Sequence, residues 1–304
     1  MTISRRNLLT SSAAAGAASL LAAGVAASAH AAPGGVKSPL VRVHVANAGV
    51  MNPPATPTLA AQIFVCVHRN GEITLVDSGF GSQDLRNPDL RLGPASHLVN
   101  PKQGQKHTAI GQIRALGYSP DQVTNIVLTH LDLDHAGGLS DFPNATCHVS
   151  LSEYKAAIVE RSVVDDVRYR APQLETIRQL KVHSSFGDRW KFGLTGHEVA
   201  PGLILIPMPG HTFGHCAVAV DLGGSWAFHA GDSMFDGSQL PRTPQFDAPR
   251  EPRPSVRAFE FSVAVDKAQI TRNHNVLGTI ARSGSCRIVL AHDERTAPHD
   301  GILF

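Results

Sequence analysis

The sequence predicts an α/β protein in which helices pack outside central β-sheets. Two observations carry this. Short apolar runs of strand length alternate with segments of helical spacing. That alternation recurs in both halves of the chain, an approximate duplication that a two-sheet sandwich requires. The pattern alone leaves a single doubly wound sheet equally open.

Taken in order, residues 40–46, 61–68 and 72–77 read as strands, and Asn70-Gly71 between the last two is a hairpin signal. From His107 to Leu116, Ile110, Ile113 and Leu116 fall at helical spacing, and Gly117 ends the helix. Asn125–Thr129 and Thr146–Leu151 read as strands. Ser152–Leu180 is charged and mostly helical in pattern, with a broken apolar face from Ile158 to Leu180. Leu203–Ile206 is a buried strand, and Gly214–Asp221 pairs with Ser225–Ala230 around Gly223-Gly224. Residues 236–255 hold five prolines and read as a long loop. Glu260–Ala281 reads as one long helix before a last strand from Arg287.

Function is concentrated in His130-Leu131-Asp132-Leu133-Asp134-His135, directly after the run Ile126–Thr129. Four metal-capable side chains within six positions have little to offer a core, and buried together they need several partners. A divalent cation supplies those partners, because imidazole nitrogen and carboxylate oxygen are its natural ligands. Residues two apart on an extended segment face the same way, which brings His130, Asp132 and Asp134 together. Gly137-Gly138 then lets the chain turn so that His135 swings back. The plain alternative is a polar loop rich in His and Asp. Three further candidates argue against it: His211 after Leu203–Ile206, Asp232 after Ser225–Ala230, and His292 after Arg287–Ala291. Each lies at the exit of a short apolar strand, where α/β proteins place chemistry.

The set resembles the metallo-β-lactamase fold superfamily of binuclear metal hydrolases, over roughly residues 41–295. That family carries a His-x-His-x-Asp-His cluster, then Gly-His, then Gly-Asp, then a final His. Leu75-Val76-Asp77-Ser78-Gly79 is similar to its early strand-and-turn element. The resemblance implies a single catalytic domain over residues 32–304, built as an αββα sandwich of two mixed sheets flanked by helices. It implies two divalent metal ions, zinc first, with manganese, iron or cobalt as alternatives. His130 and His211 would bind the first ion, with Asp132 in place of the family's second histidine. Asp134, His135 and His292 would bind the second, and Asp232 would bridge. The implied reaction is hydrolysis of an ester, lactone or related bond in a small molecule by a metal-bound bridging hydroxide, with Asp134 as the catalytic residue that orients it and returns a proton.

Asp132 is the departure. Two ions bring a charge of about +4, three aspartates −3 and a hydroxide −1, so the site comes out near neutral where the usual pattern leaves about +1. A less positive site depresses the pKa of bound water less. It also suits iron, manganese or cobalt better. The flavodiiron oxygen reductases of this superfamily carry a glutamate at this position, so an iron-dependent oxidoreductase acting on oxygen or sulfur species is the alternative function. Asp132 could instead hydrogen-bond a neighbouring ligand. Acyl-homoserine lactonases of the superfamily have a tyrosine three residues after the bridging aspartate. Here Phe235 stands there, which counts against a strict lactonase of that kind. Phe213, Trp190 and Trp226 join Phe235 as candidate pocket residues. Asp77 and His215 are candidates for orienting ligands, and His229 for strand-end structure.

Of 304 residues, the first thirty or so are not fold. Arg5-Arg6 precedes an Ala-rich run, and Ala29-His30-Ala31 offers small residues where a signal peptidase reads, predicting cleavage before Ala32. This resembles a twin-arginine export signal over residues 1–31, leading to the periplasm or outside the cell. A retained N-terminal membrane helix is the alternative. That route moves folded proteins, which suits an enzyme that takes its metal inside the cell. A net charge of +2 and 17% charged residues, with no basic stripe, give no nucleic-acid signal. No stable membrane insertion is expected after signal removal, and the oligomeric state is not legible. Cys66, Cys147, Cys216 and Cys286 show no paired spacing and no disulfide signal.

Overall fold

The computed structural model describes residues 38–304, so the export signal expected over residues 1–31 lies outside the described residues. Among those described, no helix is long and apolar enough to cross a membrane.

Two mixed six-stranded sheets form the centre. The first runs β1 (Leu40–Met51), β2 (Leu59–His68), β3 (Ile73–Val76), β4 (Val123–Val127), β5 (Thr146–Ser150) and β6 (Gln179–His183). Its first three strands are antiparallel and the rest join in parallel. The second contains β7 (Asp188–Arg189), β8 (Thr195–Ala200), β9 (Leu203–Pro207), β10 (Cys216–Asp221), β11 (Trp226–His229) and β12 (Cys286–Val289). Only its β11–β12 pair is parallel. The predicted hairpins β2–β3 and β10–β11 both form. Gly71 turns the first of them with φ +85°, a conformation that favours glycine.

Three apolar layers follow from the alternation of side chains across each sheet. Phe64, Val76 and Val127 meet Leu205, Val218, Val220 and Val289 between the sheets. Helix Ala109–Ala115, capped by Thr108 Oγ1 on the N–H of Gly111, lays Ile113 on the outer face of the first sheet. Helix Lys267–Ser283 lays Leu277 and Ile280 on the outer face of the second. Each such buried side chain contributes about 1.5–3 kcal/mol. The doubly wound alternative is excluded by the two separate sheets.

Two predictions are corrected. The long helix over Glu260–Ala281 is two helices, Pro254–Val263 and Lys267–Ser283, broken at Ala264–Asp266. Asp266 caps the second by accepting the N–H of Gln269, and the spacing Asp266-x-x-Gln269 is itself a helix-start signal. The break serves the loop beside it: the N–H groups of Val265 and Asp266 donate to the carbonyls of His211 and Gly210. The segment Ser152–Leu180 is only partly helical. It holds single turns such as Leu151–Tyr154 and Ala171–Leu174, then strand β6, whose mostly exposed side chains lack the alternation that marks a strand. Strand β7, two exposed residues, escapes prediction for the same reason, and β8 because Thr195-Gly196-His197-Glu198 offers no apolar alternation to read.

Candidate metal centre

Strands β4, β9, β11 and β12 end at the same edge of the sandwich, and their exit loops carry the seven predicted residues. All seven are buried, from His130 at 0% exposure to Asp132 at 9%. Six of them form two triads, His130, His211 and Asp232, and Asp134, His135 and His292, in each of which one donor atom per residue lies within 4.8 Å of the others. Asp232 spans both groups. Its Oδ2 lies 3.2 Å from His211 Nε2 and 3.1 Å from His292 Nε2, and its Oδ1 lies 3.2 Å from His135 Nε2. Asp134 Oδ2 is 3.5 Å from His135 Nε2 and 3.6 Å from His292 Nε2.

The fit to cations is visible in the hydrogen bonds these groups lack. His130 Nε2, His135 Nε2, Asp134 Oδ2 and Asp232 Oδ1 are buried without a hydrogen-bond partner. Four unsatisfied polar atoms facing one another at a buried point are costly unless a shared partner completes them. Their donor set, imidazole nitrogen and carboxylate oxygen, matches divalent ions.

The opposite ring nitrogens are tied down, which fixes the tautomers that leave Nε2 free. His135 Nδ1 donates to Asp77 Oδ2 at 2.9 Å, and His292 Nδ1 donates to the Ala60 carbonyl at 2.7 Å. His130 Nδ1 lies 2.9 Å from Thr129 Oγ1. Asp77 also accepts the Thr129 N–H and hydroxyl, both at 2.8 Å. It sits at φ +59°, so the backbone there is held by its side chain's three bonds. Burial alone would raise the Asp77 carboxyl, but His135 beside it holds it below the usual range. Burial would lower His135, yet Asp232, Asp134 and Asp77 together hold it well above the usual histidine value.

His215 does not hold a carboxylate. Its Nδ1 donates to the Met208 carbonyl and its Nε2 accepts the N–H of Asp232 at 2.9 Å, so it positions the bridging residue through the backbone. Gly231, at φ +52°, passes so close that a Cβ would stand 2.5 Å from that nitrogen. His229 donates to the Gln62 carbonyl and accepts from the Gly231 N–H, a strand-end role. Phe235 lines the site, its ring centroid 4.5 Å from that of His292 and 5.7 Å from that of His211. Phe213 is 70% exposed beside His211. Trp190 and Trp226 meet edge to face on the outer face of the second sheet, away from the site. The four cysteines are buried and unpaired.

Two functional residues escape sequence reasoning. Glu153, fully buried, accepts the Leu131 N–H at 2.9 Å through Oε1 and the Thr212 hydroxyl at 2.6 Å through Oε2, which also accepts the Gly214 N–H. It clamps the first ligand loop to the His211 loop. Arg168 reaches Asp132 Oδ2 at 2.7 Å and His211 Nε2 at 3.1 Å. Asp132 Oδ2 lies 2.9 Å from His211 Nε2, and Asp132 belongs to neither triad. Burial would raise its carboxyl, but Arg168 and then His130 hold it well below the usual range.

A family model described as the Metallo-beta-lactamase superfamily matches residues 56–267. The chain belongs to the metallo-β-lactamase superfamily. Among curated superfamily relatives, a probable metallo-hydrolase of Mycobacterium tuberculosis is 38% identical over 262 residues, spanning 84% of this chain and 82% of that protein. An N-acyl homoserine lactonase of Bacillus cereus is 29% identical over 150 residues, 48% of this chain and 53% of that one. The solved structure of an N-acyl homoserine lactone hydrolase, with N-hexanoyl-L-homoserine bound at its catalytic metal centre, superposes with a TM-score of 0.64. It is 19% identical and covers 87% of this chain and 99% of that one, a likeness of fold. Membership places the chain among metallo-hydrolases, enzymes built on a divalent-metal site.

Proposed function

We propose that this chain is an exported binuclear hydrolase, with zinc as its first-choice metal, acting on an ester or lactone bond of a small molecule. The observation that carries the reading is the pair of triads bridged by Asp232, with their unsatisfied donor atoms turned toward one another. Bound there, divalent ions supply the charge that lowers the pKa of water and polarises a carbonyl. The chain's own residues do the rest. His130, His211 and Asp232 hold one side, and Asp134, His135 and His292 the other. Asp134 is the residue that would orient the attacking water and carry its proton to the leaving oxygen. The Phe235 ring walls one flank of the site, edge to face with His292. Export rests on the Arg5-Arg6 leader alone.

The iron-dependent oxidoreductase reading drew its motive from the extra negative charge of Asp132. Arg168, 2.7 Å from that carboxylate, offsets the charge and removes the motive. The test is metal analysis of purified protein joined to turnover of a panel of aryl esters and lactones. Metal-dependent hydrolysis lost on chelation, and lost with reduced metal content in Asp134→Ala, is the expected result. Full turnover with full metal occupancy in that variant would reject the role of Asp134. Absence of any metal dependence would reject the function.

A further inference from the structure

We propose that the Arg168–Asp132 ion pair replaces, as one neutral unit, the histidine its superfamily carries at position 132, so that Asp132 serves Arg168 and the first metal is held by His130, His211 and Asp232 alone. This rests on the metallo-hydrolase reading above and concerns which of its two metal positions is the weaker.

The geometry supports a built pair. The guanidinium is anchored at both ends, Nη2 donating to the Val263 carbonyl and Nη1 donating to Asp132 Oδ2 at 2.7 Å. Both side chains are mostly desolvated, 17% and 13% exposed, where a charge-assisted hydrogen bond is at its strongest. The Val263 carbonyl is available because the helix stops there, at the break whose next residues brace the His211 loop. The same break therefore positions the arginine and the ligand beside it.

Charge gives the pair its meaning. Counting Asp132 without Arg168 made the centre near neutral. With the guanidinium included, the total returns to about +1, the value the histidine pattern carries. The departure in sequence is thus no departure in net charge. It changes ligand number and local repulsion. The second position draws on Asp134, His135, His292 and the bridge. The first has His130, His211 and the bridge, with a like-charged guanidinium 3.1 Å from His211 Nε2. A dication there meets one fewer protein ligand and a neighbouring cation, so the two positions fill in order, the second first.

The experiment is titration of metal-free protein with Co(II) and, separately, Zn(II), followed calorimetrically and by Co(II) absorption, with elemental analysis after dialysis. The wild-type chain should bind one equivalent tightly and a second at least about 30-fold more weakly, lost on dialysis. Arg168→Met keeps the apolar stem, frees the Asp132 carboxylate and should tighten the second equivalent about tenfold or more. Asp132→His combined with Arg168→Met should retain two equivalents. Two equally tight equivalents in the wild-type chain would overturn the proposal, and that measurement needs no variant to fold. So would an unchanged or weakened second equivalent in folded Arg168→Met, because Asp132 would then be a ligand that Arg168 merely orients. In either case the metallo-hydrolase reading survives. Failure of the wild-type chain to bind either ion would sink both.

Discussion

Asp77→Asn keeps the shape of the side chain while removing its charge and turning one acceptor oxygen into a donor. Asparagine tolerates the φ of +59° better than most residues, so the backbone is not the variable. The amide oxygen can still accept the Thr129 N–H that Asp77 Oδ1 receives at 2.8 Å. The other oxygen, which accepts from His135 Nδ1 at 2.9 Å and from the Thr129 hydroxyl at 2.8 Å, becomes an NH2 group. Two donors then face each other across His135 unless the imidazole moves its proton to Nε2. That nitrogen is the one turned toward Asp232 Oδ1 and Asp134 Oδ2. A ligand atom carrying a proton cannot bind metal, so binding must first reverse the tautomer. Loss of such a supporting carboxylate costs about 10–100-fold in metal affinity, or about 1.4–2.7 kcal/mol. Competition with a coloured chelator reads this directly, with circular dichroism confirming the fold. A metal dissociation constant within about threefold of wild type would refute the claim that Asp77 sets the His135 tautomer.

Three further outcomes follow from the same contacts. Glu153→Ala strands the Leu131 and Gly214 N–H groups and the Thr212 hydroxyl, and at about 1–3 kcal/mol for each unsatisfied buried donor, not fully additive, the metal-free protein should lose about 3–5 kcal/mol in urea unfolding. An unchanged urea midpoint would show that the clamp carries no stability. Metal affinity should rise with pH: against the lowering effect of burial, Asp232, Asp134 and Asp77 hold His135 well above its usual value and so favour a proton that a metal must displace, and the apparent association constant should climb as the pH rises past the ordinary histidine range. A flat profile in buffered competition titrations would contradict this. His148 is pushed down to about 4 by burial, then by His183 and Lys181. The unfolded chain therefore binds a proton that the fold refuses, and stability is lost as the pH falls from about 6.5 through that value, by about 1–3 kcal/mol. His148→Gln should remove that much of the acid slope in urea midpoints, and equal slopes would count against it.

The ligands were legible because of where they sit. Each of His130, His211, Asp232 and His292 follows an apolar run, and a polar side chain at a strand exit has no packing reason to be there. The sandwich itself was not legible from periodicity, which fits a doubly wound sheet as well; the order of the ligand motifs had to supply it. Strands β6 and β7 were lost because edge strands expose both faces and so lack alternation, and β8, paired on both sides, because Thr195-Gly196-His197-Glu198 offers no apolar alternation. Arg168 and Glu153 were lost for a different reason. Arg168 meets Asp132 across 36 positions and Glu153 meets Thr212 across 59, on a segment whose charges look like an ordinary solvated face. Nothing in local pattern reports which charged side chain of an irregular segment folds inward. The near-neutral charge expected for the centre was wrong on that account, since it counted the carboxylate without the guanidinium.

These contacts separate two properties that a list of ligands would merge. The geometry of the centre is set by core groups at strand ends. Asp77 joins the exits of β3 and β4, the Ala60 carbonyl on β2 fixes His292, and His215 fixes the backbone of Asp232. Gly231 admits that last contact only because it has no Cβ. Such contacts resist deformation because close-packed interiors do. The charge of the centre is set elsewhere. Arg168 comes from the irregular segment between β5 and β6 and is anchored on a helix end outside both sheets. A chain arranged this way can alter the charge its metals experience by changing one residue on a peripheral segment, while the braces that hold the ligands stay as they are. On the proposed reading, metal preference is therefore governed as much by what leans on Asp132 from outside as by the seven residues that sequence alone brings to notice.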